Sequence, residues 1–329
     1  MATTPKLPIA TISGSFTEWA SKKVEVVEYI GKRILTEGGK MLIIGEKKFG
    51  KSRIMIQTAI ELALGLPWLG SVLVPEPRRV LMFSMEGSEA EHVERLQNYE
   101  KCYGNLPDKD MAKLIVLPWM PLVEAQGAEL FEREVASFQP EVVLLDPWYS
   151  INIGDENNAA LVTNTLRVVD LASWKYHFSP VIAMHTKKAT FDARGNPVDY
   201  GFDSVSGSYR FTAWATTTAL CVRKAGQRSL RFLLRAGKDL EPAALEEVDE
   251  NQEDGGLKRF KLLVGAENNR AQDIIKILHS LKRARVTELM ARLKLSKQSV
   301  YNALEPLQVQ GLVVREPGPN KKFWYWRLV

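Results

Sequence analysis

One octapeptide constrains this chain more than any other feature. Gly45-Glu46-Lys47-Lys48-Phe49-Gly50-Lys51-Ser52 fits the pattern G-x-x-x-x-G-K-[ST]. It stands between a short apolar run, Met41-Leu42-Ile43-Ile44, and Ser52 to Leu64, where apolar residues recur at helical spacing. Glycines let the backbone curl so that successive N–H groups point inward, and the start of a helix adds its positive dipole end. A loop of that shape cradles phosphate oxygens, with Lys51 reaching the outer phosphates and the Ser52 hydroxyl available to Mg2+. Gly45, Lys48, Gly50, Lys51, Ser52 and Arg53 are the candidate cofactor-binding residues, and ATP and Mg2+ the expected cofactors.

Further apolar runs follow: Arg79 to Met85, Leu114 to Leu117, Val142 to Leu145 and Val181 to Met184. Amphipathic stretches separate them, among them Ser88 to Tyr99, Glu129 to Phe138 and Ala159 to Trp174. Apolar strands alternating with helices predict an α/β fold, a mostly parallel sheet with helices on both faces. Thr216 to Val222 and Ser229 to Leu234 read as added strands, antiparallel to each other. Residues 237–269 hold Glu246, Glu247, Asp249, Glu250, Glu253 and Asp254, then Gly255-Gly256. A polar acidic run ending in paired glycines reads as a turn or loop. It places a large domain at 1–266 and a small one at 267–329.

Charge separates the two. Residues 270–329 carry 12 Lys and Arg against 4 Asp and Glu, a net +8, whereas the rest of the chain stands at −3. A basic module fits an anionic partner, nucleic acid first, or simply a solvated surface. The two cysteines, Cys102 and Cys221, support neither a disulfide framework nor a zinc site. Met1 to Phe16 lacks the apolar core of a secretory signal. No stretch of about 18 apolar residues occurs, so no membrane partner is expected. A reducing, cytoplasmic setting fits.

Three polar residues end apolar runs. Asp146 closes Val142 to Leu145, where a carboxylate at the C-terminal end of a parallel strand faces the ligand crevice and can hold Mg2+ with Ser52; alone it reads equally as a turn residue before Pro147. Glu86 closes Val80 to Met85. It is placed either to activate a water for hydrolysis or to complement the dipole of the helix that follows. His185 follows Val181 to Met184 as a candidate γ-phosphate contact or as a structural histidine.

These residues carry a family resemblance. Phe83-Ser84-Met85-Glu86-Gly87-Ser88 followed by Ala90, Val93, Arg95 and Leu96, then Leu145-Asp146-Pro147-Trp148 and Met184-His185-Thr186-Lys187-Lys188, resemble the RecA-like ATPase cores of DnaB-type replicative helicases, and more nearly the RepA-type hexameric helicases of plasmids. Ser206-Gly207-Ser208 and the strand after it extend the likeness, which covers about Gly39 to Leu240. The resemblance implies that Glu86 is catalytic together with Lys51, that His185 senses phosphate, and that Ser52 and Asp146 hold the metal. It implies a homo-oligomer, a six-membered ring, with Arg235 and Lys238 as candidates to reach a neighbour's ATP; an ion-pair role within the chain is equally compatible with their spacing. It implies DNA and replication proteins as partners. Glu46 to Phe49 depart from the small residues usual in that family's loop.

Two further segments bear on DNA. Thr186 to Tyr209 joins Lys187, Lys188 and Arg194 with Phe191, Tyr200 and Phe202, a mix able to track phosphates and stack bases, or a solvated loop. Tyr149 to Asn158 carries Asp155 and Glu156 and suits a phosphate backbone poorly. Beyond Arg270, three predicted helices (Ala271 to Leu281, Val286 to Leu293, Lys297 to Gln310) and a hairpin of two strands resemble a winged helix-turn-helix domain. Lys297, Gln298 and Tyr301 then lie on the recognition helix, with Lys321 and Lys322 at the wing tip. The expected function is a DNA helicase driven by ATP. The alternative is an ATP-dependent DNA-binding switch, such as a helicase loader, replication initiator or recombination accessory factor.

Overall fold

The computed structural model describes residues 12–23, 25–155, 158–186, 202, 209–224, 227–237, 240–248, 259–263, 273–275, 277–279, 281–309, 313–317 and 324–328. The chain divides into two compact units, Met1–Leu262 and Leu263–Val329.

The first unit begins with a short helix, α1 (Phe16–Ser21), capped by Ser15 and Glu18, and a two-stranded pair, β1 (Glu28–Ile30) and β2 (Leu35–Thr36). The alternating pattern then appears: β3 (Met41–Gly45), α2 (Lys51–Leu64), β4 (Val80–Ser84), α3 (Glu89–Tyr103), β5 (Ala112–Val116), α4 (Ala125–Phe138), β6 (Val142–Asp146), α5 (Ala159–Tyr176) and β7 (Ser179–His185). After α6 (Arg210–Trp214) come β8 (Thr217–Lys224), β9 (Gln227–Leu234), β10 (Ala243–Val248) and β11 (Arg259–Leu263). Among the described residues these form one nine-stranded sheet in the order β11-β10-β9-β8-β3-β7-β6-β4-β5. From β8 through β5 all neighbours run parallel; β9 is antiparallel to β8, and β10 to β9.

The continuous apolar runs have a physical reason. Every residue of β3, β4 and β6 is buried, because both faces of the sheet are covered. Leu42, Ile44, Leu81, Phe83, Val143, Leu145, Ile182 and Met184 pack with Phe131 and Val135 of α4 and Val162, Leu166 and Val169 of α5. The alternate residues Val80 and Met82 face Ile56, Ala59 and Ile60 of α2 and Leu96 of α3. Glycines at positive φ stop α2 at Gly65 and α3 at Gly104.

The acidic segment corrects the sequence reading. Residues 237–269 are not simply a connecting loop, since β10 and β11 lie within them and extend the sheet. In β10 the burial of Ala-Ala-Leu-Glu-Glu-Val alternates at first, with Ala243 and Leu245 inward. In β11 Phe260 and Leu262 are buried and their neighbours half-exposed. The charges that suggested a loop sit partly on the outward positions of strands.

In the second unit, residues 273–275 and 277–279 are helical. Then follow β12 (Arg283–Ala284), the helices Val286–Leu293 and Lys297–Val309, β13 (Val313–Pro317) and β14 (Trp324–Leu328). Ile274, Leu278, Ala284, Leu289, Val300, Leu304, Val313 and Trp326 make its core. The expected hairpin is present, but a third strand joins it, giving the order β12-β14-β13. A two-residue strand has no periodicity to announce it; it exists because Arg283 and Ala284 pair with Arg327 and Trp326.

Candidate active site

The octapeptide turns between β3 and α2 as its glycines require. Gly50 has φ 111° and Lys48 φ 61°, and a Cβ on Gly50 would stand 2.8 Å from the Phe260 ring. Gly45 pairs with Cys221 of β8, and a Cβ there would meet that residue's Cβ at 2.6 Å. Gly50 is glycine for conformation as well as for want of space, and Gly45, in extended strand backbone, for want of space alone. Lys51 opens α2 and is almost wholly buried. Its ammonium donates to the Gly45 carbonyl at 2.9 Å and the Glu46 carbonyl at 2.8 Å. Burial pushes its pKa down, against the pull of nearby Asp146 and Glu86.

Parallel register brings the other strand ends alongside. His185 lies opposite Gly45 and Asp146 opposite Ser84. His185 Nδ1 is 2.9 Å from Lys51 Nζ. An ammonium offers only donors, so Nδ1 accepts, and the ring stays neutral there. Burial first, then the Lys51 charge, lowers the His185 pKa. The exposed Tyr149 stacks on the same ring, centroids 6.0 Å apart and planes at 14°.

Asp146 is buried, and burial pushes its carboxyl up to about 6 against a hydrogen bond with the Ser52 side chain. Its Oδ2 is buried without a hydrogen-bond partner. A buried carboxylate oxygen with spare acceptor capacity, next to a hydroxyl, is a hard oxygen donor set that fits Mg2+, a metal bound through one or two carboxylates plus substrate phosphates. Glu86 is exposed at the end of β4, close enough for its charge to act on Asp146, Lys51 and His185. Lys51, Ser52, Glu86, Asp146 and His185 are thus gathered at the C-terminal edge of the parallel sheet, where open α/β sheets hold ligands.

The sequence reading missed what braces the loop. Phe49 is buried, with the Arg223 and Arg228 guanidinium groups each 5.9 Å from its ring centroid; Arg223 also donates to the Lys48 carbonyl. Arg53, expected to bind nucleotide, lies 4.6 Å over the Phe260 ring and pairs with Glu247 at 3.3 Å. Gln57 of α2 holds the Phe260 backbone at both ends, donating to its carbonyl at 2.7 Å and accepting from its N–H at 2.8 Å. Gln57 also donates to Glu61, which accepts from Leu69 N–H and the Tyr103 hydroxyl. Burial raises Glu61 to about 7. A bulky apolar residue inside the loop was the one signal available, and Phe49 carried it.

Of the remaining candidates, Arg235 lies exposed beyond β9 with its guanidinium on the Ala213 carbonyl. Lys297 and Gln298 are exposed at the start of the helix Lys297–Val309, and Tyr301 is half-buried there. Lys187, Lys188, Arg194, Lys238, Lys321 and Lys322 fall outside the described residues.

By class, a domain built around such a loop is a P-loop ATPase domain. Residues 7–190, more than half of the chain, match the family model described as an AAA domain, and the chain belongs to that family. The match spans β1 through β7 and includes Lys51, Glu86, Asp146 and His185. No curated protein matches the chain. No helix among the described residues is long and apolar enough to cross a membrane.

Proposed function

We propose that this protein is a Mg2+-dependent ATPase that works on DNA as a RepA-type hexameric helicase of a plasmid, phage or mobile element. The observation that carries the ATPase chemistry is the gathering of Lys51, Ser52, Asp146, Glu86 and His185 at one sheet edge. Lys51, released from the Gly45 and Glu46 carbonyls, binds the outer phosphates, and the loop amides of Gly50 to Ser52 cradle them. Mg2+ on Ser52 and Asp146 would supply neutralisation of phosphate charge. Glu86 orients the attacking water and accepts its proton at the carboxylate. His185, bonded to Lys51, links the phosphate end of the site to Thr186 and the segment beyond.

The finer reading rests on other support. Two strands, β6 and β7, separate β3 from β4, and the sheet continues past β8 into β9 to β11; this order favours a RecA-like core. Helix, short strand, two helices and a strand pair in a basic second unit favour a winged helix, with Lys297, Gln298 and Tyr301 toward duplex DNA and Lys321 and Lys322 on phosphate. Single-stranded DNA is assigned to Lys187, Lys188 and Arg194, and the reach to a neighbour's ATP to Arg235 and Lys238. The same basic unit also suits the alternative, an ATP-gated switch assembling on duplex DNA.

The test is steady-state ATP hydrolysis with Mg2+, alone and with single-stranded or duplex DNA, followed by strand displacement on a forked duplex. The expected result is stimulation by single strands and displacement that requires ATP. Stimulation by duplex alone, without displacement, replaces the helicase with the switch.

A further inference from the structure

The turn from Ser84 to Ser88 carries Glu86 from the end of β4 to the start of α3. Glu86 itself makes no hydrogen bond or ion pair among the described residues. Its carboxylate is therefore placed by the backbone of the turn. That backbone is clasped from α3. His92, one helical turn in and buried, has Nε2 2.8 Å from the Ser84 hydroxyl and Nδ1 2.8 Å from the Ser88 carbonyl. A carbonyl only accepts, so Nδ1 carries a proton, which leaves Nε2 to accept from the Ser84 hydroxyl. One imidazole thus joins both ends of the turn. Glu91 adds a second clasp, accepting from Ser88 N–H at 2.8 Å. Gly87, at φ 97°, holds a backbone conformation that a side chain would strain, and a Cβ there would crowd Glu91 Oε2 at 2.8 Å and His92 Cε1 at 3.2 Å. At its strand end the turn is tied to the backbone of Asp146, since Met85 N–H donates to the Asp146 main-chain carbonyl at 2.8 Å.

We propose that His92, through Ser84 and Ser88, is a positioning residue for Glu86. It holds the turn so that the carboxylate meets the attacking water in register with Asp146. This inference rests on the reading of Glu86 as the hydrolytic base. An ordinary core histidine would support α3 and affect stability alone; a positioning histidine acts on turnover through Glu86.

The experiment compares His92→Ala, His92→Gln and Ser84→Ala in the full chain, each also combined with Glu86→Gln, reading kcat and KM for ATP and the melting temperature. His92→Ala is expected to lower kcat by about 10- to 100-fold, the scale of an ångström misplacement, with KM changed by less than about threefold. Ser84→Ala, which leaves His92 its Ser88 bond, moves kcat in the same direction by less. His92→Gln, whose amide oxygen can still accept from Ser84, restores most of the turnover. In the Glu86→Gln background none of the three lowers the residual rate further, because nothing remains to be positioned. Wild-type kcat in both His92→Ala and Ser84→Ala overturns the proposal, as does an undiminished further loss in the Glu86→Gln background. If Glu86→Gln alone turns over like wild type, the assignment of the base fails first, an outcome read without any His92 variant.

Discussion

The core sheet has two halves that advertise themselves differently. Its parallel half is written in uninterrupted apolar runs, and its strands are buried along their whole length in β3, β4 and β6. Its outer extension, β10 and β11, is written in alternation and charge, with Ala243, Leu245, Phe260 and Leu262 inward, Glu246 exposed and Glu247 half-buried. A strand covered on both faces is written almost wholly in apolar residues, with polar Ser84 and Asp146 only at the strand ends, whereas a strand near an edge needs only every second residue apolar. The candidate site residues Asp146, His185 and Glu86 stand at the ends of strands in the parallel half. The extension supplies the brace, since Phe260 closes on Gly50 and is held by Gln57. The candidate site and its support are divided between a part of the sheet that is easy to read and a part that is not.

That division can be tested from its largest consequence to its smallest. Lys51→Ala and Glu86→Gln, both in the parallel half, should each lower ATP turnover by at least about 100-fold. Nucleotide binding, followed by fluorescence of a labelled ATP, should be lost only in Lys51→Ala. Phe260→Ala, in the extension, should cost about 3–5 kcal/mol of stability in chemical denaturation and raise KM for ATP, while kcat at saturation changes little. An equal fall in kcat with unchanged KM would break the distinction between chemistry and brace.

Glu61 of α2 is linked to the extension through Gln57. Its carboxyl is raised from 4.5 to about 7 in the folded chain. Its contribution to stability is fully present below about 4.5 and lost as pH rises through about 7, a total of roughly 3 kcal/mol. Glu61→Gln should therefore flatten the decline in melting temperature between pH 5 and pH 8. Asp146, raised to about 6, must be ionised to take a metal, so Mg2+ affinity in the presence of ATP should fall about tenfold per pH unit below that value. Titration calorimetry from pH 5 to pH 7.5 measures it. The smallest effect belongs to the second unit. The Arg327–Glu316 pair of the β13–β14 hairpin is 2.8 Å long but partly exposed, so Glu316→Gln should change stability by less than about 1 kcal/mol.

The site was legible because its residues stand where strands end. Asp146 and His185 each terminate an apolar run, Glu86 follows one, and parallel strands deliver their C-terminal ends to one edge. His92 was not legible. It sits on a polar helix, and only the fold brings its ring to Ser84 and Ser88. Arg53 is a candidate nucleotide ligand whose side chain is also engaged by Glu247 and Phe260, residues almost two hundred positions away or more, contacts that no local pattern announces. The acidic stretch read as a loop because charge outweighs a short alternation in so few residues.

By itself the amino-acid sequence determined the alternating α/β order, the loop that cradles phosphate, and which polar side chains close the parallel strands, since continuous burial demands uninterrupted apolar runs and a tight backbone curl demands glycine. Tertiary structure alone decided what braces that loop, how a buried imidazole spans the Glu86 turn, and that β10 and β11 belong to the sheet. Those contacts join residues whose local patterns are silent, and they form only when the rest of the sheet is there to pair with.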